Sequence, residues 1–178
     1  MTPAGTPRQY FLAAAALSLG VVAAALVTQH ALGMLPCPWC VLQRLIFVVI
    51  GVAALLGAVL PVGRRSGAGH RVGHRAGHRA GHRIAAAVVL IGALAGIAAA
   101  LWQHFVAASN TSCKLSLADR LLSASGLDAL LPSVFGVWAT CADGAVKLLG
   151  LPYEFWSLAA FALLGGIALK LLLGRRRG

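Results

Sequence analysis

Four stretches, at about 10–28, 41–60, 84–105 and 155–173, run almost without charge for close to the roughly 20 residues a helix needs to cross about 30 Å of hydrocarbon. No water inside a bilayer can satisfy backbone N–H and C=O groups, so each span must pair them internally, as an α-helix. The period-two alternation of a membrane β-strand is absent. With 60% hydrophobic residues, 11% charged ones and a mean hydropathy of +0.86, the chain lacks the polar surface of a soluble domain. The sequence therefore predicts an all-α integral membrane protein, a single four-transmembrane-helix bundle over 1–178. Arg8 ahead of the first apolar run has the look of a secretory signal. That run is longer than the about 7–15 residues of a signal's apolar region, and three more spans follow, so it reads as an uncleaved first helix.

Charge sets the expected orientation. Arg8 precedes the first span, Arg64, Arg65, Arg71, Arg75, Arg79 and Arg83 fill the connection 61–83, and Lys170, Arg175, Arg176 and Arg177 close the chain. These are eleven of the fifteen Lys and Arg residues, and the positive-inside rule places them, with both termini, in the cytoplasm. The connections 29–40 and 106–154 then face outward. They hold Lys114, Arg120 and Lys147, and all four acidic residues, Asp119, Asp128, Asp143 and Glu154, lie in or beside them. Topology thus accounts for a net charge of +11 without a nucleic-acid partner.

All four cysteines fall in the outward connections, Cys37 and Cys40 in the first, Cys113 and Cys141 in the second. Thiols facing an oxidising compartment form disulfides or a working relay, and four cysteines allow three connectivities. Cys113 and Cys141 enclose 27 residues, which suits a stabilising loop closure as well as a relay. Cys37 and Cys40 enclose two. So short a bridge constrains little chain, and Cys-X-X-Cys is the usual spacing of reversible dithiol chemistry. Pro38 restricts the backbone between them. A helix beginning near Cys40 would bring unpaired amides and a positive dipole end to its sulfur. Arg44, at i+4, would add a cation about 6 Å further along the same face. An arginine within a span either faces a cavity or ligand or snorkels to the interface.

The order Gln29, His30, Pro36, Cys37, Cys40, Gln43, Arg44, then Cys113, Cys141 and "LLGLPYEFWSLAAF" at 148–161, resembles the DsbB family of bacterial disulfide bond oxidases. The resemblance covers the chain except the loop 64–83. It implies a multi-pass enzyme of the bacterial inner membrane with its two cysteine loops in the periplasm. Such an enzyme reoxidises a periplasmic thioredoxin-like, DsbA-like dithiol oxidase and passes the electrons to a membrane quinone, ubiquinone or menaquinone. By position, Cys113 would form the mixed disulfide with the partner and Cys141 would be its bridge mate. Cys37 and Cys40 would be the quinone-proximal pair, with Cys40 at the ring. Arg44, His104 and Gln29 would be cofactor-binding residues; no metal is implied.

Redox arithmetic explains why a quinone belongs in this scheme. Partners of that class lie near about −120 mV and structural disulfides below about −300 mV, a gap of roughly 180 mV or about 8 kcal/mol for two electrons. An ordinary disulfide cannot reoxidise such a partner. The implied sequence is attack of a partner thiolate on Cys113, release of Cys141, attack of Cys141 on the first-loop bridge at Cys37, and release of Cys40.

Two segments remain. "LSLADRLLSASGLDALLPSVF", 115–135, is imperfectly amphipathic and broken by Gly126 and Pro132, which predicts one or two short helices on the outer membrane surface. "GAGHRVGHRAGHRAGHRI", 67–84, repeats Gly-His-Arg every four residues. Its histidines would share a helical face, but interleaved arginines repel a cation and each glycine costs a helix about 1 kcal/mol relative to alanine, so it reads as a low-complexity cytoplasmic linker. Two other readings compete: a quinone-linked thiol protein of the vitamin K epoxide reductase type, whose Cys-X-X-Cys would sit in the last helix, and a non-catalytic membrane protein with structural disulfides.

Overall fold

The computed structural model describes residues 5–60, 72–106, 117–140 and 147–174, with the backbone alone over 72–79. Four helices are long and apolar enough to cross a membrane: α1 (Pro7–Leu32), α2 (Pro38–Val59), α3 (Val72–Phe105) and, after the smaller elements below, α7 (Tyr153–Leu173). Local chemistry sets their ends. Thr6 caps α1 with Pro7 in its first turn, and the Gln9 side chain accepts the Thr6 N–H at 2.7 Å. Gly33, at φ 65°, takes the left-handed conformation that ends the helix, and the Met34 N–H donates to the Thr28 carbonyl at 3.3 Å. Pro38 opens α2 at a position where the missing N–H leaves no partner wanting.

The helices meet along inward seams of small and apolar residues spaced three and four apart, the period of left-handed helix packing. On α3 the seam runs Ala86, Val89, Ala93, Gly96, Ala100 and Gln103; on α7 it runs Glu154, Ser157, Phe161, Leu164, Ala168 and Leu171. Small residues let helices approach where lipid offers no hydrophobic drive between them. The Phe161 ring stacks on Phe47 at 3.9 Å and fills the space a side chain on Gly96 would need, since a Cβ there would lie 2.3 Å from it. At the far end, Lys170 Nζ stands 4.7 Å over the Tyr10 ring, joining the start of α1 to the end of α7.

The Gly-His-Arg repeat departs from expectation. α3 begins at Val72, twelve residues before the predicted 84, so the part of the expected linker from 72 onward is helical; 61–71 lies outside the described residues. Once a long apolar helix exists, each added residue gains a hydrogen bond without a new nucleation cost, and this outweighs the glycines' preference. Packing contributes as well: Gly81 abuts Leu60, and His82 is buried with its ring 5.7 Å from that of Phe11.

The second connection holds three short helices rather than one or two: α4 (Leu117–Ser125), α5 (Leu127–Leu130) and α6 (Pro132–Phe135). Their breaks fall at Gly126, φ 67°, and before Pro132. The expectation placed them on the membrane surface, but α4 buries Ala118 and Leu122 against the start of α2. A two-residue hairpin, β1 (Lys147–Leu148) with β2 (Leu151–Pro152), turns through Leu149 and Gly150, both at positive φ, and leads directly into α7.

Candidate functional site

The Cys-Pro-Trp-Cys sequence is the first turn of α2, not the loop ahead of it. Cys37 is the N-cap residue and its sulfur accepts the backbone N–H of Cys40 at 3.4 Å. The helix therefore starts three residues earlier than expected, and its orphan amide is satisfied by Cys37 rather than aimed at Cys40. The two sulfurs lie 2.8 Å apart as an unbonded, hydrogen-bonded pair. Cys37 is fully buried among Trp39, Leu42, Ala99 and Ala118, whereas Cys40 is half-buried and lines a cleft. The hydrogen bond to Cys40, reinforced by burial, pushes the Cys37 thiol well above the ordinary cysteine range.

Around Cys40 each spanning helix contributes a buried polar side chain. Gln29 of α1, Gln43 and Arg44 of α2, Gln103 of α3 and Glu154 of α7 are each no more than 9% exposed. Arg44 Nη1 donates to Gln29 Oε1 at 2.8 Å and to the Val134 carbonyl, and Gln29 Nε2 donates to the Ser133 carbonyl at 3.2 Å. Together these bonds tie α6 to α1 and α2. Gln43 Nε2 donates to Gln103 Oε1 at 2.7 Å, and Gln103 Nε2 donates to the Cys40 sulfur at 3.3 Å. His104 Nδ1 and Glu154 Oε1 are 2.9 Å apart.

The cleft has about 380 Å³ of empty space, its open mouth included, and is walled by Val21, Val22, Ala25 and Phe47 besides Cys40, Arg44, Gln103, Tyr153 and Glu154. Two of its polar residues carry buried atoms without a hydrogen-bond partner among the described residues, Arg44 Nε and Glu154 Oε2. A mostly apolar hollow with a few convergent polar groups is the usual form of a small-molecule site. A second hollow of about 290 Å³, sharing Cys40, Arg44 and Tyr153, extends toward Thr28, Met34 and Pro36.

Of the residues singled out from sequence, the structure brings Cys37, Cys40 and Arg44 together and sets Gln29 behind Arg44 as its hydrogen-bond partner rather than on the cleft wall. His104 is not on that wall. Helix geometry turns successive residues by about 100°, so Gln103 faces Cys40 while His104 faces the start of α7, its ring edge-on to Phe105 and Phe155. Cys113 and Cys141 lie outside the described residues. Gln103 goes unmarked in the sequence, and Gln43, Tyr153 and Glu154, though part of the family pattern, enter there with no role at the site. The signal that finds Gln43, Gln103 and Glu154 is that each continues its helix's inward seam. Among the described residues no cluster of three or more His, Cys, Asp or Glu side chains is arranged to hold a metal.

Four spanning helices with a paired dithiol opening onto a mostly apolar cleft at one end define a multi-pass membrane protein of thiol–disulfide chemistry. Residues 7–171 match the model of the family described as "Disulfide bond formation protein DsbB". The chain belongs to the DsbB family, and is a membrane disulfide bond formation protein. It is similar to Disulfide bond formation protein B of Aromatoleum aromaticum, 33% identical over 174 residues, 96% of this chain and 95% of that protein. Disulfide bond formation protein B of an Azoarcus species is 33% identical over 172 residues, 95% of this chain and 94% of that one. Disulfide bond formation protein B 1 of Pseudomonas aeruginosa is 30% identical over 176 residues, 97% of this chain and 99% of that one.

Proposed function

We propose that this protein reoxidises a DsbA-like periplasmic dithiol oxidase and delivers the electrons to a quinone of the bacterial inner membrane, ubiquinone or menaquinone. The observation that carries the reading is the half-buried Cys40 sulfur at the wall of an apolar cleft, beside the unpartnered Arg44 Nε and Glu154 Oε2. Those residues suit a flat ring bearing carbonyl oxygens. Val21, Val22, Ala25 and Phe47 give it apolar contact, Arg44 Nε–H has a donor for one oxygen, and Glu154 Oε2 accepts from a hydroxyl. A bound quinone supplies the terminal oxidation, taking up the two electrons and two protons of the Cys37–Cys40 dithiol.

The chain's own part is the relay. A partner thiolate attacks Cys113 of a Cys113–Cys141 disulfide, forming the mixed disulfide and releasing Cys141 as thiolate. Cys141 attacks Cys37 of a Cys37–Cys40 disulfide, and Cys40 leaves as thiolate at the cleft. The partner's second thiolate then attacks its own sulfur in the mixed disulfide, so the partner departs oxidised and Cys113 is freed; Cys113 attacks Cys141 of the Cys141–Cys37 bond, which restores the Cys113–Cys141 disulfide and leaves Cys37 and Cys40 as the dithiol. Two bonds support the proximity this needs: the Trp138 and Ala139 N–H groups both donate to the Pro36 carbonyl, at 3.1 and 3.3 Å. Cys141 is thus two residues from a segment pinned beside Cys37, a tether of at most about 7 Å. Ala118 of α4 covers Cys37, so exchange there requires α4 to shift.

The test is to mix the purified protein with a reduced thioredoxin-like partner and a soluble quinone, and follow quinone reduction. Turnover that Cys40→Ser abolishes is expected, as is a disulfide-linked adduct of the partner through Cys113 in Cys141→Ser. No quinone reduction by the intact chain overturns the reading.

A further inference from the structure

The sulfur of Cys40 is held by a side chain of the neighbouring helix α3. Its one side-chain N–H donor in the described structure is Gln103 Nε2, at 3.3 Å, and the orientation of that amide is itself determined. A carboxamide presents N–H₂ on one side and oxygen on the other, so a glutamine can stabilise a thiolate or repel it depending on a half-turn about its last bond. Gln43 Nε2, donating to Gln103 Oε1 at 2.7 Å, settles which way it faces: with the oxygen engaged, the N–H₂ side is left for the sulfur. Both glutamines are almost fully buried, so water does not compete for either amide. Cys37, 2.8 Å from Cys40, has no such donor among the described residues; its sulfur caps the backbone and its thiol is the buried one.

We propose that Gln103 is a catalytic residue that holds Cys40 as the reactive thiolate of the pair, and that Gln43 is the positioning residue that keeps the Gln103 amide facing the sulfur. Two helices are needed for the device, α2 supplying the thiol and the orienting amide, α3 the donor between them. It selects Cys40, the cysteine at the cleft, over Cys37. Its use in turnover rests on the quinone-linked reading above, but its effect on the thiol does not, which separates the two in experiment.

The test uses the full reduced chain in detergent, with neither quinone nor partner added. Alkylation by iodoacetamide at neutral pH is followed at Cys40 and Cys37 separately by peptide mass spectrometry, and total thiolate by ultraviolet absorbance. Gln103→Glu keeps the side chain's shape and replaces the donor with an acceptor; Gln103→Leu removes it. Each is expected to slow alkylation of Cys40 about 3–10-fold, with a parallel loss of thiolate absorbance. Gln43→Leu, which leaves Gln103 in place but unoriented, is expected to slow Cys40 about 2–3-fold. If Gln103→Glu does not fold, Gln103→Asn, too short by one methylene to reach the sulfur, reads the same quantity. Wild-type alkylation of Cys40 in folded Gln103 variants overturns the role of Gln103. Wild-type alkylation in Gln43→Leu alone overturns the positioning role. A slowing of Cys37 equal to that of Cys40 marks an effect common to the whole dithiol and overturns both.

Discussion

At the scale of single residues, Arg44 is the junction of the site. Its guanidinium joins Gln29 on α1 to the Val134 carbonyl on α6, and its Nε is buried without a hydrogen-bond partner among the described residues. Arg44→Leu strands two buried acceptors, each costing about 1–3 kcal/mol when left unpaired, so a loss of roughly 2–4 kcal/mol is expected in denaturant titrations in detergent. Arg44→Lys keeps the charge but not the rigid plane that aims the two Nη1 hydrogens at both acceptors, and should recover only part of that. Cys37 yields a second expectation. Its hydrogen bond to Cys40 is the larger cause holding its thiol high, and burial the smaller. The thiolate is the reactive form, so Cys37 should alkylate more slowly than a solvent-exposed cysteine at mildly alkaline pH. Cys40→Ala, which removes the larger cause, should speed Cys37 several-fold; no change would mean that burial alone protects it.

At the scale of elements, the question is what holds the dithiol covered and the bundle closed. α4 lies over Cys37 through Ala118, and Leu122 beside it packs with Val41 and Phe135. Leu122→Ala opens a cavity worth about 2–4 kcal/mol of local stability, and should raise the alkylation rate of Cys37 while leaving Cys40 unchanged. The α3–α7 seam makes the opposite demand, for close approach. A methyl on Gly96 meets Phe161, which cannot retreat because its other face is stacked on Phe47. Gly96→Ala is therefore expected to lower the midpoint of thermal unfolding by the equivalent of about 1–3 kcal/mol. Gly166→Ala, where a Cβ meets nothing within 4 Å, is the control and should leave it unchanged.

At the scale of the whole molecule, the four inward seams, those of α3 and α7 together with Phe11, Ala15, Ser18, Val22 and Gln29 on α1 and Gln43, Phe47, Ile50, Ala54 and Gly57 on α2, share one design. Each is apolar along most of its length and ends, at the dithiol end of the bundle, in an amide or acid: Gln29, Gln43, Gln103 and Glu154. Buried polar groups are costly in a membrane, and four in one layer concentrate that cost where Cys40 needs hydrogen bonds. Charge asymmetry predicts that this end faces the periplasm. A cysteine introduced by Arg120→Cys should react with a membrane-impermeant maleimide added to spheroplasts, and one introduced by Arg175→Cys should react only after lysis. The reverse pattern would invert the proposed topology.

The number of spans, the basic bias and the Cys-X-X-Cys beside an arginine are properties of local sequence, because bilayer thickness and helical rise alone convert apolar length into a crossing. What a helix presents to its neighbours is not local, since it depends on the rotation of each helix about its axis and on which seams interlock. His104, with its titratable ring, is the conspicuous residue at the end of α3, yet its side chain turns to Glu154 while the less conspicuous Gln103 reaches Cys40. The helical backbone of the Gly-His-Arg repeat from Val72 onward and the burial of Cys37 beneath α4 are likewise not local: the first propagates from the apolar helix that follows it, and the second comes from packing against an element distant in the chain.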